Sequence, residues 1–106
     1  MASHKDFVDY VAEQLREAGA IRGRKMFGEY GLYCDGIFFA VICDDQLFVE
    51  VTPAGEAAFP QLPKAPPYEG AKDYLRVEDV DDRETMTTLT RLTCLELQAQ
   101  PKKRRK

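Results

Sequence analysis

The stretch Gly31-Leu32-Tyr33-Cys34-Asp35-Gly36-Ile37-Phe38-Phe39-Ala40-Val41-Ile42-Cys43-Asp44-Asp45-Gln46-Leu47-Phe48-Val49-Glu50-Val51 decides the fold class. Its apolar runs are short and rich in aromatic and β-branched residues, which suit a pleated surface better than a helix. Asp35-Gly36 has the chemistry of a two-residue turn with positive φ at both positions, and Asp44-Asp45 is a weaker version of it. The segment reads as three antiparallel strands joined by two tight hairpins.

With two residues in each loop, Cys34 faces Ile37, Leu32 faces Phe39, Cys43 faces Gln46 and Val41 faces Phe48. One sheet face then carries Tyr33, Phe38, Ala40, Ile42, Leu47, Val49 and Val51, an unbroken apolar set that helices must cover. The other carries Tyr30, Leu32, Phe39, Val41 and Phe48 beside Gln46 and Glu50, and is more apolar than a face left to water. Two explanations stand for it: a helix crosses over and covers it, or it meets another chain, either a second copy in a homodimer or a protein partner. Tyr30, Leu32, Phe39, Val41 and Phe48 are therefore the candidate interaction surface.

Upstream, Gly28 and Gly31 bracket Glu29-Tyr30, which reads as a bend or bulge inside one long first strand. Before it, Ser3 and Asp6 resemble a capping box, Phe7, Val11, Leu15 and Ala18 recur at helical spacing, and Gly19 offers a stop, predicting a helix over 4–18. Downstream, Thr52-Pro53 opens a short helix from Pro53 to Phe59, weakened by Gly55. Pro60, Pro63, Pro66 and Pro67 make an extended connection through Lys72, and Tyr74 to Val77 is the last strand. Asp79, Asp81 and Asp82 supply caps for a final helix in which Met86, Leu89, Leu92 and Leu95 form a drifting stripe, ending near Ala99. The expected fold is α+β and two-layered. It has a mainly antiparallel sheet of four to five strands, with elements in the order α-β-β-β-α-β-α, as one domain over 1–99 and a basic, disordered tail over 100–106.

A chain of 106 residues with 44% hydrophobic residues suits a single core. Its formal charge of −3 hides a division: Lys102, Lys103, Arg104, Arg105 and Lys106 hold five of the fifteen basic residues, leaving ten against eighteen acids, a net of −8. Those five, with Arg22, Arg24 and Lys25, are the candidate contacts to nucleic acid or an acidic partner. The acidic body repels phosphates, and five neutralised phosphates give a salt slope no steeper than about −4.5, so nucleic-acid binding is expected to be weak and non-specific.

Cys34, Cys43 and Cys94 are an odd number without metal-ligand spacing, pointing to a reducing cytoplasm and to buried, inert thiols. No cysteine neighbours Cys34 or Cys43 in the predicted strands to resolve a disulfide. His4 is the single histidine, so histidine triads and multi-histidine metal sites fail on count, and neither a metal nor another cofactor is expected. Asp44-Asp45 and the Asp79–Asp82 group read as turn and cap residues rather than acid–base pairs. The charged N-terminal residues do not read as a signal peptide, and no stretch is long enough for a membrane span.

The run Arg24-Lys25-Met26-Phe27-Gly28-Glu29-Tyr30-Gly31-Leu32-Tyr33, followed by Asp35-Gly36, Phe38-Phe39-Ala40, Asp44-Asp45 and Thr52-Pro53-Ala54-Gly55, resembles the N-terminal domain of the TfoX/Sxy family. Pro66-Pro67-Tyr68, Gly70-Ala71-Lys72 and Asp81-Asp82-Arg83-Glu84 extend the likeness over roughly 5–97. The resemblance implies a two-layer α+β fold. In full-length members it implies a bacterial competence regulator that co-activates transcription with the cyclic-AMP receptor protein, through a chain carrying a second, C-terminal domain. The expectation here is a stand-alone N-terminal domain acting as a non-enzymatic regulatory module, with no catalytic residues. The alternative is a small ligand-binding domain or a carboxylate-dependent enzyme using Tyr30, Tyr33 and Tyr68, for which a deep pocket lined by Glu29, Tyr33 and another acid would speak.

Overall fold

The computed structural model describes residues 3–26 and 28–99. Helix α1, Lys5–Leu15, runs into a 3-10 turn at Arg16–Ala18, and strands β1, Ile21–Met26, β2, Glu29–Cys34, β3, Ile37–Cys43, and β4, Gln46–Val49, follow. Helix α2, Pro53–Ala58, short strand β5, Lys64–Ala65, strand β6, Tyr74–Val77, and helix α3, Arg83–Ala99, complete the chain. All pairings are antiparallel, and the strand order is β1-β2-β3-β4-β6-β5.

The two-layer antiparallel α+β fold is as expected, with six strands in the sheet. Two strands are added to the predicted order, the first of them at Gly28. Met26 pairs with Glu29, so the chain reverses in a hairpin at Gly28, where the sequence predicts a bend within one strand. Gly28 has φ of 81°, a conformation glycine adopts without steric cost. Lys64–Ala65, between two prolines of the extended connection, adds a two-residue edge strand, the place in a sheet where flanking prolines are tolerated. The two aspartate turns behave as predicted, with φ of 51° at Asp35, 85° at Gly36, 53° at Asp44 and 55° at Asp45.

Three of the expected hairpin pairs hold: Cys34 with Ile37, Val41 with Phe48 and Cys43 with Gln46. Leu32, however, pairs with Ala40 rather than Phe39, because the register shifts after Leu32 and Phe39 has no opposite number on β2. This bulge lets Phe39 and Ala40 both drop into the helix-covered core, inverting the alternation of β3 midway. Leu32 and Phe39 are thus fully buried under the helices, and Tyr30 packs on the same core. Tyr33 and Phe38, expected in the core, lie on the other face, their ring centroids 5.5 Å apart in an edge-on contact.

Val8, Val11 and Leu15 of α1 and Met86, Leu89 and Cys94 of α3 close the core against Ile42, Leu47, Val49, Leu75 and Val77. The stripe predicted for α3 fails at its end: Leu95 is 64% exposed, while Thr90, Thr93 and Cys94 are buried. At about 100° per residue, nine residues from Met86 carry Leu95 to the opposite side of the helix. Thr52 caps α2 as expected, its Oγ1 accepting from the Gly55 N–H at 3.1 Å, and the Glu96 carboxylate accepts from the Ala54 N–H at 2.9 Å. Gly55 also permits a close approach of α3, since a Cβ there would lie 3.2 Å from Leu89 Cδ1. Asp82 caps α3 through Thr85, with its Oδ1 at 3.2 Å from the Thr85 N–H.

Ser3 does not cap α1. The N-cap is His4, without a side-chain bond, and the Ser3 hydroxyl instead accepts from the Asp45 N–H at 2.9 Å across the β3–β4 turn. Gln14 is a further tie between distant segments: its amide donates to the Val80 carbonyl at 2.9 Å and its oxygen accepts from Arg83 Nη2 at 3.1 Å. No helix among the described residues is long and apolar enough to cross a membrane.

Candidate functional site

No helix lies over the second sheet face among the described residues, which answers one of the two explanations offered for its apolar character. Its apolar side chains include Met26 from β1, Phe38, Val41 and Cys43 from β3, Phe48 from β4 and Tyr74 from β6, with Arg76 opposite Phe48. Val41, Cys43, Phe48 and Tyr74 bury one another in a small second cluster with Phe38 and Ala65 against it. Pro67 and Tyr68 of the proline-rich connection close one side, leaving a groove of about 710 Å³.

Gly31 shapes the groove by absence. A Cβ at Gly31 would lie 2.9 Å from Phe38 Cε1 and would overlap Met26 Sδ, so only glycine lets these side chains lie across β2. Glu29 and Asp44 also line the groove. The Glu29 carboxylate accepts from the Ser3 N–H at 2.9 Å through Oε1 and from the Asp44 N–H at 3.0 Å through Oε2. Burial alone would raise this carboxyl, but the hydrogen bonds from Ser3 and Asp44 outweigh it and hold it below its ordinary range. It is a fixed charge, poorly suited to taking a proton.

At Tyr74, burial first and then the nearby Glu50 carboxylate push the phenol up to about 12. The Lys72 ammonium donates to Glu50 Oε1 at 2.9 Å and stands 5.5 Å from the centroid of the Tyr74 ring. Burial, followed by the charges of Glu29 and Asp44, raises the Cys43 thiol. The groove is therefore an aromatic and thioether surface with anionic charge at its Glu29–Asp44 side.

The protein-family model of the TfoX N-terminal domain matches residues 13–96, most of the chain. This chain is a member of the TfoX family. A relative from Spirochaeta aurantia, an uncharacterized 12.7 kDa protein in the trpE 5′ region, is 34% identical over 106 residues, covering 99% of this chain and 91% of the relative.

The candidate interaction surface of this TfoX domain is redistributed by the bulge. Leu32 and Phe39 belong to the helix side, Tyr30 packs on that core while also lining the groove, and Val41 and Phe48 lie under the groove side. Met26, Cys43, Asp44, Pro67 and Tyr74 join them there; alternation from Val41 also points Cys43 to this face, but nothing in the sequence brings Pro67 of the connection or Tyr74 of β6 beside it. Of the basic residues, Arg22, Arg24 and Lys25 lie exposed on β1, an edge strand. Arg22 and Arg24 pair with Tyr33 and Gly31 and share the open face, whereas Lys25 pairs with Tyr30 and points to the helix side. Lys102, Lys103, Arg104, Arg105 and Lys106 lie outside the described residues.

Cys34 of the TfoX domain does have a cysteine neighbour, against expectation. Tertiary packing brings the end of β2 beneath α3, where Cys34, whose thiol donates to the Ala18 carbonyl at 3.8 Å, and Cys94 line one cavity of about 250 Å³. Both are buried. Burial first, and then Cys34, push Cys94 up to about 12, a range in which the reactive thiolate is scarce. His4 donates its backbone N–H to Asp45 Oδ1 at 2.7 Å, and its ring Nδ1 lies 2.6 Å from Asp45 Oδ2, so it pins the N-terminal segment to the turn. Tyr10 donates its hydroxyl to Asp81, tying α1 to the entry of α3.

Proposed function

We propose that this TfoX domain is a non-enzymatic regulatory module that docks a partner protein on the open face of its sheet. One observation carries the reading: the face without a helix over it is apolar at its centre and ends in an unpaired strand edge bearing Arg22 and Arg24. Such an edge accepts an extended segment of another chain, and its arginines favour an acidic one. The chemistry of the groove argues in the same direction, since its best-held carboxylate spends both oxygens on backbone N–H groups. Likeness to full-length TfoX members supports transcriptional co-activation of DNA-uptake genes with the cyclic-AMP receptor protein as the role to test first. The acidic body keeps direct DNA contact weak.

The test is fluorescence anisotropy of labelled, purified cyclic-AMP receptor protein, with cyclic AMP and promoter DNA, titrated with the full chain and with the double variant Arg22→Glu, Arg24→Glu. Saturable binding that the charge-reversed variant loses by about tenfold or more supports the reading. Absence of binding in every combination removes the competence role. Sedimentation of the chain alone separates partner docking from self-association, because a dimer disrupted by the same variant assigns the edge to a second copy.

A further inference from the structure

We propose that the groove on the open sheet face is a binding site for a small organic cation with an alkylated ammonium head group. The inference rests on the groove alone, so its failure would leave partner docking at the β1 edge untouched.

The size fits first: about 710 Å³ lies within the ~300–1,000 Å³ usual for small-molecule sites. Second, the lining includes the rings of Phe38, Tyr68 and Tyr74 and the thioether of Met26, surfaces that attract a poorly hydrated cation through ring quadrupole and polarisability. Third, the charge of the lining residues has one sign. Glu29 and Asp44 line the groove, and no lysine or arginine among the described residues does; Arg22, Arg24 and Arg76 share the face outside the cavity, and Lys72 beside Tyr74 is paired with Glu50. An anion is thereby disfavoured.

Glu29 narrows the chemistry further. Its oxygens are already engaged by the Ser3 and Asp44 N–H groups, so it offers the groove a fixed negative field more than a free acceptor. That suits a head group without N–H donors, which is attracted by charge and aromatic faces and loses no hydrogen bond on leaving water. The protein already uses one of these rings in this way: the Lys72 ammonium lies 5.5 Å from the Tyr74 centroid at the margin of the groove.

Isothermal titration of the full chain with choline chloride, and with its uncharged isostere 3,3-dimethyl-1-butanol at matched ionic strength, tests the proposal. Choline is expected to bind at millimolar or lower concentration and about tenfold more tightly than the alcohol. Equal binding of the two would show an apolar cavity without cation selectivity, and absence of choline binding at tens of millimolar would show no site; either overturns the proposal. Tyr68→Ala and Asp44→Asn should each weaken choline by about fivefold or more. Both spare the fold, since Tyr68 is 62% exposed and asparagine tolerates the φ of 53° at Asp44. Tyr10→Ala, remote from the groove, should bind as the parent does. Unchanged affinity in both groove variants would place the cation elsewhere and defeat the assignment.

Discussion

The two faces of the sheet are made by the same strands and close in different ways. On one, Leu32, Phe39, Ala40 and Ile42 are fully buried because α1 and α3 lie across them. On the other, Val41, Cys43, Phe48 and Tyr74 lose water mainly to one another and to Phe38 and Ala65, and a groove remains beside the loop bearing Tyr68. The first face is shut by a layer, the second by large side chains leaning together. The Phe39 bulge joins the two solutions, since the even-numbered residues of β3 face the open side before it, at Phe38, and the helices after it, at Ala40 and Ile42. A sheet with one face shut and one partly open combines a closed core with an accessible groove.

The sharpest way to break this comparison is the Phe38, Phe39 pair. Phe39→Ala should cost about 3–5 kcal/mol in urea unfolding, because it empties a fully enclosed core site. Phe38→Ala, half-buried on the open face, should cost about 1 kcal/mol. Equal losses would mean that the bulge does not divide the faces. Along α3, Leu89→Ala should lose about 2–4 kcal/mol and Leu95→Ala less than about 0.5, measured in the same assay. Comparable losses would restore the straight leucine stripe.

The smallest effect concerns Glu29, on the groove side. Its folded carboxyl is held below its ordinary range, so as pH falls the unfolded chain takes up the proton first. The stability contributed by Glu29 is present above the ordinary carboxylate range and is lost as pH drops through the folded value. Urea unfolding across acidic pH should show a shallower decline for Glu29→Gln than for the parent. An identical slope would show that the clamp to Ser3 and Asp44 carries no charge-linked stability.

Several elements were legible because their causes are local. Asp35-Gly36 and Asp44-Asp45 specify positive φ through their own backbone preferences, and Thr52-Pro53 specifies a helix start within four residues. The same holds for Asp82 at the start of α3. The turn at Gly28 was harder, since Gly28 and Gly31 around Glu29-Tyr30 fit a bend as well as a reversal, and only pairing of Met26 with Glu29 distinguishes them. Of the candidate surface, Val41 and Phe48 were read to the correct face, and Leu32 and Phe39 were not. Two adjacent phenylalanines give no sign of which one breaks the alternation.

By itself the sequence determined the family, the antiparallel α+β plan, the aspartate turns and the caps, because each depends on residues a few positions apart or on a long shared pattern. Only the tertiary structure decided which aromatic side chains face the helices and that the proline-rich connection borders a groove. The same is true of the clamp that binds Glu29 to the N-terminal segment and the pairing of Cys34 with Cys94. Those features are contacts between segments far apart in the chain, whose free energy exists only once the layers have packed and no single stretch can specify its partner.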